Sequence, residues 1–73
     1  MSEAGYPPNV IQVLDLLQTH RSLSRFEFEM KCRELRVFEA PSALRFLITI
    51  GQAHVVPSEG LEPERINFGP SLG

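Results

Sequence analysis

Residues 40–51 have the sequence APSALRFLITIG and form the most apolar segment of the chain. Leu44, Leu47 and Ile48 fall at i, i+3 and i+4, the spacing of one helix face, and Phe46 and Ile50 add a second apolar ridge. The segment has a proline near its start, which suits the first turn of a helix, and ends in a glycine, which favours the left-handed conformation that closes one. It therefore predicts a central helix that is exposed along only a narrow stripe.

Length and composition limit the fold and the function. A chain of 73 residues forms one domain with a small core. Its hydrophobic content of 42% and charged content of 22% are typical of globular proteins and argue against wholesale disorder. The net charge of -2 provides no global field that would hold a polyanion. We expect a flexible arm at residues 1–8, a single compact domain at 9–68 and a loose tail at 69–73.

Six of the seven Lys and Arg residues lie between residues 20 and 45, where four Glu residues reduce the local charge to +2. Cys32 is the one cysteine, so the chain can form neither an internal disulfide nor a multi-cysteine metal site, and a reducing compartment fits it best. No apolar run approaches the roughly 20 residues that span a bilayer, and the first residues lack the pattern of a signal peptide. These features predict a cytoplasmic protein with no membrane contact.

The first helix is predicted from Asn9, acting as its N-cap, to about Thr19. Gln12 stands three positions after Asn9 and could complete a capping-box-like pair. The apolar residues that follow have the spacing of one buried face: Val10, Val13, Leu14 and Leu17, widened by Ile11 and Leu16.

The second helix has the clearest local signal. Ser24 and Glu27 have the spacing of a capping box, and Leu23 and Phe28 have that of a hydrophobic staple, so a helix is predicted from here to about Arg36. The i, i+4 pairs Glu27–Lys31 and Glu29–Arg33 stand in the favourable order. Its predicted inner face comprises Phe28, Cys32 and Leu35, assisted by Phe26 and Met30. Cys32 is therefore interpreted as a small buried apolar residue rather than a reactive thiol.

A short turn, residues 37–40, connects the second helix to the third. Two strands are predicted after Gly51, at residues 53–56 and 65–68, because each is rich in strand-forming residues and turn formers separate them. Three helices followed by a hairpin predict a mainly α fold with a small β-hairpin, like a winged helix or helix-turn-helix unit.

Catalysis is not indicated. His20, His54 and scattered carboxylates belong to no nucleophile elbow, phosphate loop or paired metal-ligand spacing. A core this small also leaves little room for an enclosed pocket. We expect no enzymatic activity, no cofactor and no metal.

DNA binding is the alternative that the order of elements suggests. A reading helix presents polar and basic side chains to base edges, but the polar stripe of the third helix is thin, comprising Ser42, Arg45, Thr49 and Gln52. The turn between the strands carries three acidic residues, Glu59, Glu62 and Glu64, against Arg65, and phosphate would repel them. The sequence favours a protein partner, with no direct sequence-specific DNA contact, and a monomeric state.

Six residues are candidates for contact with that partner: Tyr6, Val10, Asp15, Phe38, Ser42 and Arg45. Arg45 can make a forked bond to a carboxylate, and Ser42 lies three residues before it on the same helix face. Core burial is the more frequent fate of a phenylalanine, but Phe38 lies in a turn, which makes partial exposure and contact plausible. Tyr6 either packs on its own domain or anchors a partner.

Two stretches of the chain carry a resemblance to known proteins. The start MSEAGYPPNV, residues 1–10, and the centre KCRELRVFEAPSAL, residues 31–44, resemble small transcription regulators encoded by phages of Xanthomonas. The resemblance implies a protein that binds host RNA polymerase through the β′ N-terminal region and the β flap, in the cytoplasm of the infected bacterium. It also implies inhibition of initiation by displacing sigma, and antitermination. The resemblance assigns no contact residues.

Overall fold

Three helices and three short strands occupy residues 5–70, the part of the chain that the computed structural model describes. In chain order they are α1 (Pro8–His20), β1 (Ser22–Ser24), α2 (Arg25–Glu34), α3 (Ala40–Thr49), β2 (Ala53–Val56) and β3 (Arg65–Phe68). Parts of the predicted arm and tail, residues 1–4 and 71–73, lie outside this range, and α1 begins inside the predicted arm. The longest helix here, α1, has 13 residues, and none of the described helices could span a membrane.

The sheet has three antiparallel strands in the order β1-β3-β2. The predicted hairpin of β2 and β3 is confirmed, with Ala53 opposite Phe68 and Val56 opposite Arg65. The additional strand, β1, was not predicted: it includes Leu23 and Ser24, which the sequence assigned only to the staple and cap of the second helix. It pairs with the other edge of β3. The protein is therefore an α+β protein rather than a mainly α protein with a hairpin.

The core lies between the helices and the inner face of the sheet. Helices α1 and α3 pack on each other, and α3 also contacts β2. The side chains most completely removed from solvent are those of Val13, Leu17, Leu47 and Ile66. They come from α1, α3 and β3, so the centre of the core is built from elements far apart in sequence.

The start of α1 differs from the prediction. Pro7 is the N-cap and Pro8 is the first helical residue, where a fixed φ suits the helix and a missing N–H loses no bond. The Asn9 side chain is therefore not a cap. Its Nδ2 donates to the carbonyl of Phe38 over 2.8 Å, which ties α1 to the turn before α3.

The start of α2 follows the prediction. The Ser24 hydroxyl accepts from the Glu27 N–H at 3.1 Å, and the Glu27 carboxylate accepts from the Ser24 N–H at 3.1 Å. The bond from the Ser24 N–H is the main cause of a lowered pKa at Glu27. Two of the unpaired N–H groups at this helix end, those of Ser24 and Glu27, are thus satisfied by side chains.

The inner face of α2 is narrower than predicted. Phe28 and Cys32 are buried, but Phe26 is 71% exposed, and Met30 and Leu35 are exposed as well. The helix ends at Glu34, so Leu35 is its C-cap rather than part of its inner face. Neighbouring elements cover only one strip of α2, because its main contacts are with β1 and β3.

Replacing Ser24 with alanine is expected to lower the free energy of unfolding by about 1 kcal/mol, because the first turn of α2 loses its cap. Urea denaturation followed by circular dichroism measures the change. Ser42→Ala, an exposed position in the first turn of α3, is the matched control and should have little effect. Equal losses in the two variants would show that the capping box does not stabilise the fold.

Candidate partner-binding surface

The exposed side of α3 carries a shallow cavity of about 390 Å³ lined by Pro41, Ser42, Arg45, Phe46 and Thr49. We call these five residues the α3 outer face. Ser42, Arg45 and Thr49 stand at i, i+3 and i+7, so they lie on one side of the helix. The Thr49 hydroxyl donates to the carbonyl of Arg45 over 2.9 Å, which leaves its oxygen free to accept.

The helix is more exposed than predicted. Ala43, Leu44 and Leu47 are buried, whereas Phe46 is 40% exposed and Ile48 and Ile50 are exposed to a similar degree. The elements that cover α3, chiefly α1 and β2, bury Leu44 and Leu47 of the first apolar ridge but leave Ile48 exposed. The second ridge is left on the surface.

Tyr6 extends the α3 outer face. Its ring packs edge-on against Phe46, with the ring centroids 5.8 Å apart and the planes at 78°. Tyr6 is partly buried against the core, so of the two interpretations offered for this residue the structure has it packing on its own domain. The pair forms an aromatic ridge beside Arg45, and edge-to-face pairs of this kind hold their rings in place.

Phe38 projects from the turn that precedes α3. Its side chain is 72% exposed, so of the two interpretations, core residue and exposed turn residue, the structure has the second. The Asn9 side chain holds its carbonyl, and the next residue, Glu39, is left-handed with φ 47°. The turn thus exposes a large apolar side chain, and a hydrogen bond from α1 holds the backbone of the turn in place.

Two of the predicted contact residues lie elsewhere. Val10 is 3% exposed and belongs to the core, so a partner cannot reach its side chain. Asp15 is exposed on α1, and within residues 5–70 no hydrogen bond or ion pair joins it to the α3 outer face. The predicted patch that combined the start of α1 with α3 is therefore wrong for Val10.

The cations differ in whether they are already paired. Arg25 approaches Glu29 at 3.4 Å and Glu64 at 3.6 Å, so the predicted pairing of Glu29 with Arg33 is not formed. Arg21 lies over the Phe68 ring, 5.3 Å from its centroid. Arg65 donates to the Ser22 hydroxyl over 2.8 Å. The other four cations of the described part of the chain take part in neither an ion pair nor a contact of these kinds: Lys31, Arg33, Arg36 and Arg45.

The connection between β2 and β3, residues 57–64, ends in an acidic tip. Glu59 and Glu62 exchange backbone hydrogen bonds of 3.1 and 3.0 Å, and Gly60 between them has φ 59°, which glycine adopts at little cost. Both glutamates are exposed, as is Leu61. Two carboxylates therefore project into solvent from a well-defined turn.

Cys32 has the environment predicted for it. Burial, reinforced by the nearby Glu29 carboxylate, raises the pKa of its thiol to about 11, so the thiol is protonated at neutral pH and is a poor nucleophile. Across residues 5–70, no group of His, Cys, Asp and Glu is arranged to hold a metal ion.

Sequence reasoning missed Phe46 as a surface residue, although a signal was present. Residues two apart on a helix point about 200° apart, so Phe46 cannot share the buried face of Leu44. The candidate surface as a whole comprises the Tyr6–Phe46 aromatic ridge, the exposed Phe38 ring, the Thr49 hydroxyl and the Arg45 guanidinium.

Comparison of the chain with protein-family models, with curated proteins and with solved structures finds no match.

Proposed function

We propose that this protein is a phage-encoded regulator that binds bacterial RNA polymerase at the β′ N-terminal region and the β flap. Binding there inhibits initiation by displacing sigma and promotes antitermination, as the resemblance of residues 1–10 and 31–44 implies. The observation that carries the proposal is the exposed α3 outer face, where Arg45 stands beside the Tyr6–Phe46 ridge.

That composition suits a protein partner. Aromatic residues and Arg are enriched at protein interfaces and supply most of the binding energy at their centres. Arg45 has no ion-pair partner within residues 5–70, so its planar fork is available for a carboxylate of the polymerase. Phe38, in the turn before α3, provides a second apolar contact.

For the scaffold we propose a winged-helix arrangement. The element order α1-β1-α2-α3-β2-β3 and the sheet order β1-β3-β2 support it, with α3 as the second helix of the helix-turn-helix unit and residues 57–64 as the wing. The same order favours the alternative function, a DNA-binding transcriptional repressor. Against that alternative stand the net charge of -2 and the exposed Glu59 and Glu62 at the tip, because phosphates repel carboxylates.

The mechanism combines steric and allosteric effects. Sigma and this protein favour different states of the flap region, so each weakens the binding of the other by the same factor. Holoenzyme and promoter complexes then become less stable whenever the regulator is bound. No catalytic step is required, since occupancy alone produces the inhibition.

Arg45→Glu is expected to weaken binding to purified Xanthomonas RNA polymerase by about 30-fold, because the polymerase carboxylate would lose its partner and meet a like charge. Fluorescence anisotropy of the labelled chain measures Kd for core enzyme and for holoenzyme. Circular dichroism should show unchanged helix content, since Arg45 is exposed.

Lys31→Glu is the matched control, because it makes the same change in net charge on α2. It should reduce the affinity for polymerase only slightly. Unchanged affinity in Arg45→Glu would show that the α3 outer face is not the binding surface. Binding to duplex DNA without binding to polymerase would favour the repressor alternative.

A further inference from the structure

A second concave surface lies between α2 and the beginning of α3. Its volume is about 480 Å³, and apolar side chains form much of its lining: Phe28, Cys32, Val37, Ala40, Pro41 and Leu44. Apart from Pro41, none of its lining residues belongs to the α3 outer face. We call it the α2–α3 groove.

The charged rim of the groove is unbalanced. Arg25, Arg33 and Arg36 line it together with Glu29 and Glu39. Glu29 is paired with Arg25, whereas Arg33 and Arg36 form no ion pair within residues 5–70. Two exposed guanidinium groups therefore flank an apolar floor, and their charge is available to a ligand.

Arg36 occupies a position that glycine would fill at lower cost. Helix α2 ends with bonds from the Arg36 N–H to the Arg33 carbonyl, 3.1 Å, and from the Val37 N–H to the Cys32 carbonyl, 2.9 Å. This is the Schellman pattern, which places Arg36 in the left-handed region at φ 56°. At the end of α3 the same pattern places a glycine, Gly51, at φ 83°.

The comparison of the two helix ends argues that the Arg36 side chain has a use. A side chain with a Cβ atom is strained in the left-handed region, and strain of this kind clusters at functional sites. Since Arg36 lines the groove, the strained position places a cation on its rim.

We propose that the α2–α3 groove binds an acidic peptide segment of a partner protein. One apolar side chain of the peptide enters the floor, and neighbouring carboxylates pair with Arg33 and Arg36. Arg is well suited to this role because its fork binds a carboxylate with two hydrogen bonds. A charged floor would oppose an apolar anchor, but the buried Cys32 thiol is protonated at neutral pH, so the floor is neutral.

A peptide fits the groove better than a nucleic acid. Every nucleotide of an RNA strand adds a phosphate that Glu29 or Glu39 on the same walls would repel, whereas a peptide needs carboxylates only beside Arg33 and Arg36. The apolar floor suits an aliphatic or aromatic side chain. The proposal is independent of polymerase binding, since it concerns a different surface.

The first test is a selection of random short peptides displayed on phage, using the biotinylated 73-residue chain as bait. Before the selection, the phage library is passed over the Arg33→Glu variant, and the phage that bind this variant are discarded. We expect enriched peptides that combine two or more Asp or Glu with a Leu, Ile or Phe. Binding of a synthetic copy of the leading peptide should shift the amide NMR resonances of residues that line the groove. The Arg33→Glu variant should bind this peptide with about tenfold lower affinity.

Arg36→Gly separates binding from folding. Glycine relieves the left-handed strain, so the variant should unfold at a higher urea concentration and yet bind the peptide more weakly than the parent chain. Lys31→Glu, on the same helix but outside the groove, should bind nearly as well as the parent chain, as should Arg45→Glu on the α3 outer face.

Failure to enrich any peptide, or enrichment of peptides without acidic residues, would overturn the proposal. So would equal binding by the parent chain and Arg36→Gly. Displacement of the peptide by single-stranded RNA of random sequence, at a lower concentration than the peptide itself requires, would assign the groove to nucleic acid. Weak polymerase binding in Arg45→Glu together with normal peptide binding would keep the two surfaces distinct.

Discussion

Replacing Leu47 with alanine is expected to lower the free energy of unfolding by about 3 kcal/mol. Leu47 is 0% exposed, and it comes from α3, which packs against both α1 and β2. The substitution removes buried methyl groups and leaves a cavity that the short helices cannot close completely. Total stability is roughly 0.1 kcal/mol per residue, so a domain of this size is expected to lose a large share of its stability. Urea denaturation followed by circular dichroism gives the difference.

Ile48→Ala is the matched control. Ile48 is the next residue on the same helix and is 38% exposed, so its truncation should cost less than about 1 kcal/mol. A loss at Ile48 equal to that at Leu47 would mean that Ile48 is buried as fully as Leu47. The inner face of α3 described above would then be wrong.

Helix periodicity identified α3 and its two ends, but not which of its apolar ridges is buried. The spacing of Leu44, Leu47 and Ile48 is the same for a fully covered helix as for one covered on a single strip. Burial depends on how many layers the chain can place around the helix, and 73 residues provide few. Ile48 was therefore assigned to the inner face although it lies on the surface.

Strand β1 could not be predicted because its stability is not local. Three residues, Ser22–Ser24, carry no alternating pattern long enough to indicate a strand. The strand forms because it pairs with β3, which lies more than forty positions later in the sequence. Side-chain hydrogen bonds from Ser22 to Asn67, at 2.7 Å, and from Arg65 to Ser22, at 2.8 Å, strengthen this pairing. Pairing across such a separation depends on the folded core.

The surface was predicted in part. Ser42 and Arg45 lie on one exposed helix face, and Phe38 is exposed in its turn. Val10 was misplaced as a contact residue, although its spacing had already assigned it to the buried face of α1, where the structure has it. The position of Asn9 against the Phe38 carbonyl is a long-range contact that no local pattern indicates.

The second large effect is expected at the acidic tip, because carboxylates there would be repelled by the phosphates of DNA. Glu59 and Glu62 hold the turn through their backbone atoms, and their side chains are exposed. Their replacement by lysine should therefore leave the fold unchanged. Glu64 is not suitable for the same change, since its carboxylate is 3.6 Å from Arg25.

The double variant Glu59→Lys, Glu62→Lys changes the net charge from -2 by four units, to +2. We expect its affinity for random duplex DNA at low salt to rise by about 100-fold, with a steeper salt dependence of about two further released counterions. Fluorescence anisotropy of labelled duplex across a salt series measures both quantities. Glu59→Gln, Glu62→Gln controls for loss of the carboxylates alone and should show a smaller rise.

The two proposed roles of α3, in binding polymerase and in binding DNA, predict different results in this DNA titration. If α3 and the tip can approach a duplex together, two lysines at the tip add phosphate contacts, and binding increases as charge is added. Binding to polymerase should change little, because the tip contributes no residue to the α3 outer face. Strong salt-dependent binding of duplex by the unmodified chain would show that the carboxylates do not exclude DNA. The repressor function would then account better for a helix that exposes Ser42 and Arg45.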